Sequence, residues 1–141
     1  MVEATTESER LALALVDVWN ERRYSKIPGV VSDSFVMYDP AAPGGEVRGP
    51  GGLEAFIRGV VTGFPDFHVS VTELLSSDEV VMYEATITMT HEGEFEGVPP
   101  TGRSVEFGEM STVRIGDGGV DEHRTYFDQQ SVRERLGLTP E

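Results

Sequence analysis

The sequence contains no cysteine, which excludes disulfides and thiolate metal ligands. Lysine is nearly absent too: Lys26 stands alone, and arginine supplies the other basic residues. Against 25 acidic residues there are only 11 basic ones, a net charge of −14. That balance argues against nucleic acid and against an anionic membrane surface as partners. An acidic, lysine-poor coat fits adaptation to high salt, where screening removes self-repulsion, although a GC-rich genome also favours arginine. No apolar run approaches the roughly 18 residues of a membrane span, and the polar, acidic start is unlike a signal peptide. A cytoplasmic protein is the expectation. The three histidines, His68, His91 and His123, show no metal-ligand spacing, so no metal or cofactor is expected.

What is present is one domain's worth of chain, 141 residues, long enough to bury a core. Thr6-Glu7-Ser8-Glu9 offers a capping box ahead of Leu11, Leu15, Val18 and Trp19, predicting a helix over about 6–23. Ser25 to Ser32 reads as a short second helix, and Phe35 to Asp39 as a strand stopped by Pro40. Gly49-Pro50-Gly51-Gly52 lacks the lysine and hydroxyl of a phosphate-binding loop and reads as a turn into a helix from Leu53 to about Thr62. From Phe67 the period changes to two. Val81, Tyr83, Ala85, Ile87 and Met89 form an apolar strand face that His91 closes. Val105, Phe107, Glu109, Ser111, Val113 and Ile115 form another, with Glu109 as its ionisable member. The intervening Glu92 to Gly102 is too long for a tight hairpin and is placed to overhang something.

The last strand, Val120 to Asp128, has no plainly apolar face and ends in a carboxylate. The helix after it carries its own capping box at Ser131-Val132-Arg133-Glu134, so Asp128 is not needed as a cap and is free for a site. Helices first and hairpin-joined strands later make an α+β fold: a cone-shaped, curved antiparallel sheet wrapped around the N-terminal helices. Such a cone leaves an apolar cavity, with His91, Glu109 and Asp128 as polar groups in reach.

Thr90-His91-Glu92-Gly93-Glu94-Phe95-Glu96-Gly97-Val98-Pro99-Pro100-Thr101-Gly102-Arg103, with Glu122-His123, Tyr126-Phe127-Asp128 and Leu136-Gly137, resembles the SnoaL-like polyketide cyclases. These belong to the nuclear-transport-factor-2-like superfamily, whose fold is a cystatin-like α+β barrel. Tyr38-Asp39-Pro40 and Phe64-Pro65-Asp66-Phe67 fit the same family. The resemblance implies a cofactor-independent aldol-type ring closure on a small hydrophobic, polyketide-like substrate. It implies Asp128 as acid/base, with His91 holding the enolate oxygen or orienting the substrate. Trp19, Tyr38, Glu109, Ser111, Arg124 and Tyr126 are the expected pocket residues. Arg124 stands where many relatives carry tryptophan, and beside Asp128 it would lower that carboxyl's pKa. Tyr38-Asp39-Pro40 is also similar to the ketosteroid isomerases, whose base lies at the Asp39 position. Their enolate-binding tyrosine and aspartate fall at Leu15 and Ser111, so Asp39 is expected to serve the turn beside Pro40.

Two alternatives stand beside the cyclase. One is a non-catalytic pocket protein with Asp128 tied up by Arg124. The other is an epoxide-hydrolase-like reaction in which Glu109 helps a second carboxylate activate water. Homodimer formation through an open sheet face is expected.

Overall fold

The computed structural model describes residues 2–138. Helix α1 (Glu7–Glu21) starts where the capping box places it: Thr6 Oγ1 accepts from the Glu9 N–H at 3.1 Å. The return bond is displaced by one residue, Glu9 accepting from the Thr5 N–H at 2.8 Å. Arg22 ends α1 in the left-handed region, at φ 57°. Its guanidinium donates to the Pro65 and Phe67 carbonyls at 3.0 and 2.9 Å. Asn20 meanwhile exchanges two hydrogen bonds with the Val69 backbone, at 2.9 and 2.8 Å. These polar clamps fix the C-terminal end of α1 beneath the sheet, and so fix Trp19.

After a 3-10 turn (Tyr24–Lys26), α2 is only Ile27–Val30 and β1 runs Val31–Tyr38. The strand therefore begins earlier than Phe35, and the second helix is shorter than its Ser25–Ser32 signal. A three-residue β2 (Glu46–Arg48), too short to show a period, precedes α3 (Gly49–Gly63). The glycine cluster is thus the first turn of that helix, with Pro50 where a missing N–H costs nothing. Four longer strands follow: β3 (His68–Ser76), β4 (Val80–Thr90), β5 (Ser104–Gly116) and β6 (Gly119–Tyr126), then α4 (Gln129–Leu136).

The sheet order is β2-β1-β6-β5-β4-β3. The three hairpin pairings from β3 to β6 are antiparallel, as the sequence pattern requires. β1 differs: it lies parallel to β6, pairing Met37 with His123. The sheet stays open, with β2 and β3 as edges, so the α+β cone is a curved sheet and not a closed barrel. α1 packs against β3 to β6, and α3 against β1 and β2. Between them lie Leu15, Phe35, Leu53, Ile57, Ile87 and Val113, all about 1% exposed or less. Among the described residues no helix is long and apolar enough to cross a membrane.

The segment after β4 is a strap. Glu92 and Gly93 donate backbone N–H groups to the Gly63 carbonyl at 3.0 and 3.1 Å. A Cβ at Gly93 would come within 1.9 Å of the Thr62 oxygen, so only glycine allows that approach. Beyond it Phe95 and Val98 bridge across Glu96 and Gly97, both at positive φ, 51° and 79°, a tight primed-type turn. Arg133 of α4 clasps Glu96 at 2.8 Å.

Candidate active site

Between the helices and the concave sheet lies a cavity with two chambers. The outer one is apolar and enclosed largely by aromatic rings, Phe56 and Phe64 from the α3 region, Phe95 from the strap, Phe107 from β5 and Phe127 after β6. It has about 610 Å³ of free space counting its open mouth. Trp19 stands at its inner end, edge-on to Phe56 at 5.6 Å and tilted to Phe67 at 5.2 Å. The inner chamber is smaller and more polar than the outer one: Tyr83, His123 and Thr125 line it beside Leu15, Val16 and Met37. Asp39 and Glu109 line both chambers and so stand at their junction.

Period-two alternation delivers these groups. Phe35, Met37 and Asp39 continue one inward row from β1, 1%, 2% and 9% exposed. Glu109 belongs to the inward row of β5, Tyr83 to that of β4, and His123 and Thr125 to that of β6. Asp39 Oδ1 accepts from the Ala41 N–H at 2.8 Å, so it does close the turn before Pro43. It also faces the cavity, which the turn reading alone left out. Burial pushes its pKa up to about 6, against the opposing effect of that backbone bond. Glu109 is raised further, to about 8, by burial first and then by the Asp39 charge. At neutral pH one carboxyl is therefore ionised and the other protonated. Below them, Tyr83 Oη and Thr125 Oγ1 lie 3.2 and 3.3 Å from His123 Nε2. Burial lowers the His123 pKa to about 4, keeping the ring neutral.

Of the residues anticipated from sequence, Trp19 and Glu109 line the cavity. Ser111 lies behind it, buried, 3.3 Å from the Thr125 hydroxyl. Leu15 lines the inner chamber with no polar atom to offer. His91 is fully buried but is outside both chambers; its Nδ1 accepts from the Thr101 N–H at 3.2 Å. It pins the end of the strap. Tyr38, Arg124 and Tyr126 alternate onto the outer face of the sheet, away from the cavity. There Arg124 stacks 4.1 Å over the Tyr38 ring and pairs with Glu122 at 3.0 Å, not with Asp128. Asp128 is exposed, and its Oδ1 accepts from the Ser131 N–H at 3.0 Å. It is the N-cap of α4, which begins at Gln129, two residues before the Ser131 capping box. The expectation that Asp128 is spared capping duty is corrected. Asp39 in a cavity role, Tyr83, His123 and Thr125 are the site groups that sequence reasoning passed over.

Among the described residues no cluster of three or more His, Asp or Glu converges as a metal-ligand set. The SnoaL-like polyketide cyclase family model matches residues 9–136. The chain belongs to this family. No curated protein matches it by sequence. Among solved structures, IdmH of Streptomyces antibioticus, a proposed polyketide cyclase, has 25% identity and a TM-score of 0.79. That match covers 94% of this chain and 99% of IdmH. AclR of Streptomyces galilaeus, a proposed hydroxylase, has 30% identity and a TM-score of 0.77, covering 98% of this chain and 85% of AclR. A SnoaL-like protein of Jannaschia superposes with a TM-score of 0.83 at 23% identity over 99% of both chains, a likeness of fold. Membership of the SnoaL-like polyketide cyclases supports a cyclase- or isomerase-type role for this chain. One scaffold nonetheless carries several chemistries, so residue roles come from the cavity itself.

Proposed function

We propose that the cavity performs acid/base chemistry beside a carbonyl on a small hydrophobic, polyketide-like substrate, with Asp39 as base and Glu109 as acid. The observation that carries this reading is the pair itself. Two carboxyls face one apolar cavity, with pKa values displaced to about 6 and about 8. Pairs whose environments separate their proton affinities can divide the acid and base roles at one pH. The Asp39 carboxylate takes a proton from the carbon beside the carbonyl, while the protonated Glu109 donates to the oxygen that gains negative charge. In a ring closure the enol carbon then attacks a second carbonyl of the same substrate, while the first carbonyl re-forms and its proton returns to Glu109. The alkoxide so formed takes the proton held by Asp39, which restores the carboxylate. Among the described residues no arginine shifts either carboxyl, which weighs against a merely structural ion pair.

The test is exchange of α-protons for deuterium in a panel of cyclic ketones and keto-esters, followed by proton NMR. The rate should be bell-shaped in pH, rising near 6 as Asp39 ionises and falling near 8 as Glu109 loses its proton. Absence of exchange across the panel, or a rate climbing steadily through pH 9 as for free hydroxide, would overturn the assignment.

The outer sheet face suits a second copy of the chain. Met82, Met110 and Tyr126 on β4, β5 and β6 are 50%, 50% and 57% exposed, large side chains standing out on a protein of charge −14. Glu84 on β4 and Arg124 on β6 stand among them, at opposite edges of this three-strand face. A two-fold axis along the strands sets one flank against the other. Met110→Asp is expected to convert a dimer to monomer in light scattering at micromolar protein; a wild-type monomer at that concentration would refute this.

A further inference from the structure

Proton transfer at Asp39 and Glu109 leaves one side of the outer chamber without a role, the side built by α4. Gln129, Val132, Arg133 and Leu136 all line the chamber. They stand at i, i+3, i+4 and i+7, one face of a helix, so α4 turns that face into the cavity. Val132 and Leu136 are 4% and 1% exposed, as a packed face requires. Arg133 is the one arginine or lysine among the described residues that line either chamber. Its Nη1 donates to Glu96 of the strap at 2.8 Å, and its Nη2 to the Leu138 carbonyl at 3.2 Å. Phe95, next to Glu96, and Leu138 itself line the chamber, so the cation stands at its rim.

The Arg133–Glu96 pair is open to solvent, its side chains 29% and 44% accessible. Water and salt screen such a pair, so Glu96 can give way to another carboxylate and be hydrated at little cost. A guanidinium carries five N–H donors in a fork that matches a carboxylate. Arg133 has no part in the displaced proton affinities of Asp39 and Glu109, which burial and nearer groups set. It therefore stands apart from the reacting pair. We propose that Arg133 is a specificity-determining residue: it binds a carboxylate of the substrate, which displaces Glu96 from the guanidinium. The substrate is thereby a keto acid, its ketone at Asp39 and Glu109 and its acid group several bonds away at the mouth. Without that cation, a protein of charge −14 would repel such an anion. This inference rests on the acid/base reading for the placement of the ketone.

The probes are 4-oxocyclohexanecarboxylate, (4-oxocyclohexyl)acetate and 3-(4-oxocyclohexyl)propanoate, which move the acid outward one carbon at a time. Each is compared at pH 7 with its carboxamide, similar in shape and uncharged. Binding is read from fluorescence of Trp19, the sole tryptophan, which lines both chambers. At least one acid should bind on the order of tenfold tighter than its amide, the value of a charge-assisted hydrogen bond. In the wild-type protein, needing no variant to fold, that ratio should shrink as salt rises. Arg133→Gln should bring it to about one with amide affinity nearly unchanged. Glu96→Gln removes the competing carboxylate and should tighten binding of the acid alone. A pair that only latched the strap would behave otherwise, both variants weakening acid and amide alike. Equal affinity of acid and amide at every length, no binding of any acid, a preference that survives Arg133→Gln, or weaker acid binding in Glu96→Gln would overturn the inference. α-Proton exchange measured in the same samples tests the carboxyl pair separately. Exchange without the preference sinks only the role of Arg133; the preference without exchange sinks only the acid/base assignment.

Discussion

Asp39→Asn is expected to lower α-proton exchange by about 10²–10⁴-fold, the usual worth of a positioned general base, with ketone affinity nearly unchanged. Asparagine retains the side-chain oxygen that accepts from the Ala41 N–H, so the turn persists and the loss reports on the missing carboxylate. Affinity followed by Trp19 fluorescence separates a chemical defect from a collapsed cavity. The companion is Asp128→Asn. Asparagine caps helices about as well as aspartate, and Asp128 is exposed at the start of α4, so exchange should stay within about twofold of wild type. The opposite ranking, with Asp128→Asn inactive and Asp39→Asn active, would return the acid/base role to the end of the last strand.

The second large effect is on stability. In the folded protein Glu109 titrates near 8 against an ordinary 4.5, and Asp39 near 6 against 3.8. Both affinities are raised, so between these limits the folded state binds more protons than the unfolded state. Unfolding free energy therefore falls as pH rises through that window and levels off above about 8. The favourable contribution is complete below the unfolded values and gone once the folded groups have ionised. Glu109→Gln removes the need to bury an anion. It should stabilise the protein by on the order of 2–4 kcal/mol at pH 9 and by little at pH 4. Urea unfolding of both proteins at the two pH values measures this; equal gains at both would mean that better packing, not charge, is responsible. The same variant should be impaired in exchange, since its amide cannot give up a proton: function here is held against stability.

Much of this arrangement is readable in the sequence, for local reasons. Val81 to Met89 and Val105 to Ile115 each repeat with period two over ten residues or so, and α1 carries both its cap and its apolar stripe. Glu109 stands out because it interrupts an inward apolar row. The failures share a cause. Inward rows of β1 and β6 are short, and their parallel pairing of Met37 with His123 joins residues far apart in sequence. Without that register, the mixed faces of β6 gave no direction, and its terminal carboxylate drew the assignment. Asp39 carried a usable signal, continuing the row Phe35 and Met37, but Pro40 made a turn role sufficient. Tyr83 sat unremarked in an apolar row, since a tyrosine there reads as core. The position of Asp128 turned on a boundary of two residues at the start of α4, where strand and helix signals overlap.

The strap that supplies Phe95 has a consequence for how the mouth of this cavity could be reshaped. It holds to the body chiefly through backbone bonds to the Gly63 carbonyl, through bonds from Thr101 and Gly102 to His91, and through one ion pair to α4. Asp39, Glu109 and His123 are borne on the strand framework instead. The roof and the reacting groups thus sit on separately alterable parts of the chain. A change of length or side chain within residues 94 to 100 would reshape the mouth, while Gly63 and Gly93 keep the attachment and Asp39 and Glu109 stay in place. On the proposed acid/base reading, a change in this one short loop would alter which ring system enters and leave the carboxyl pair untouched.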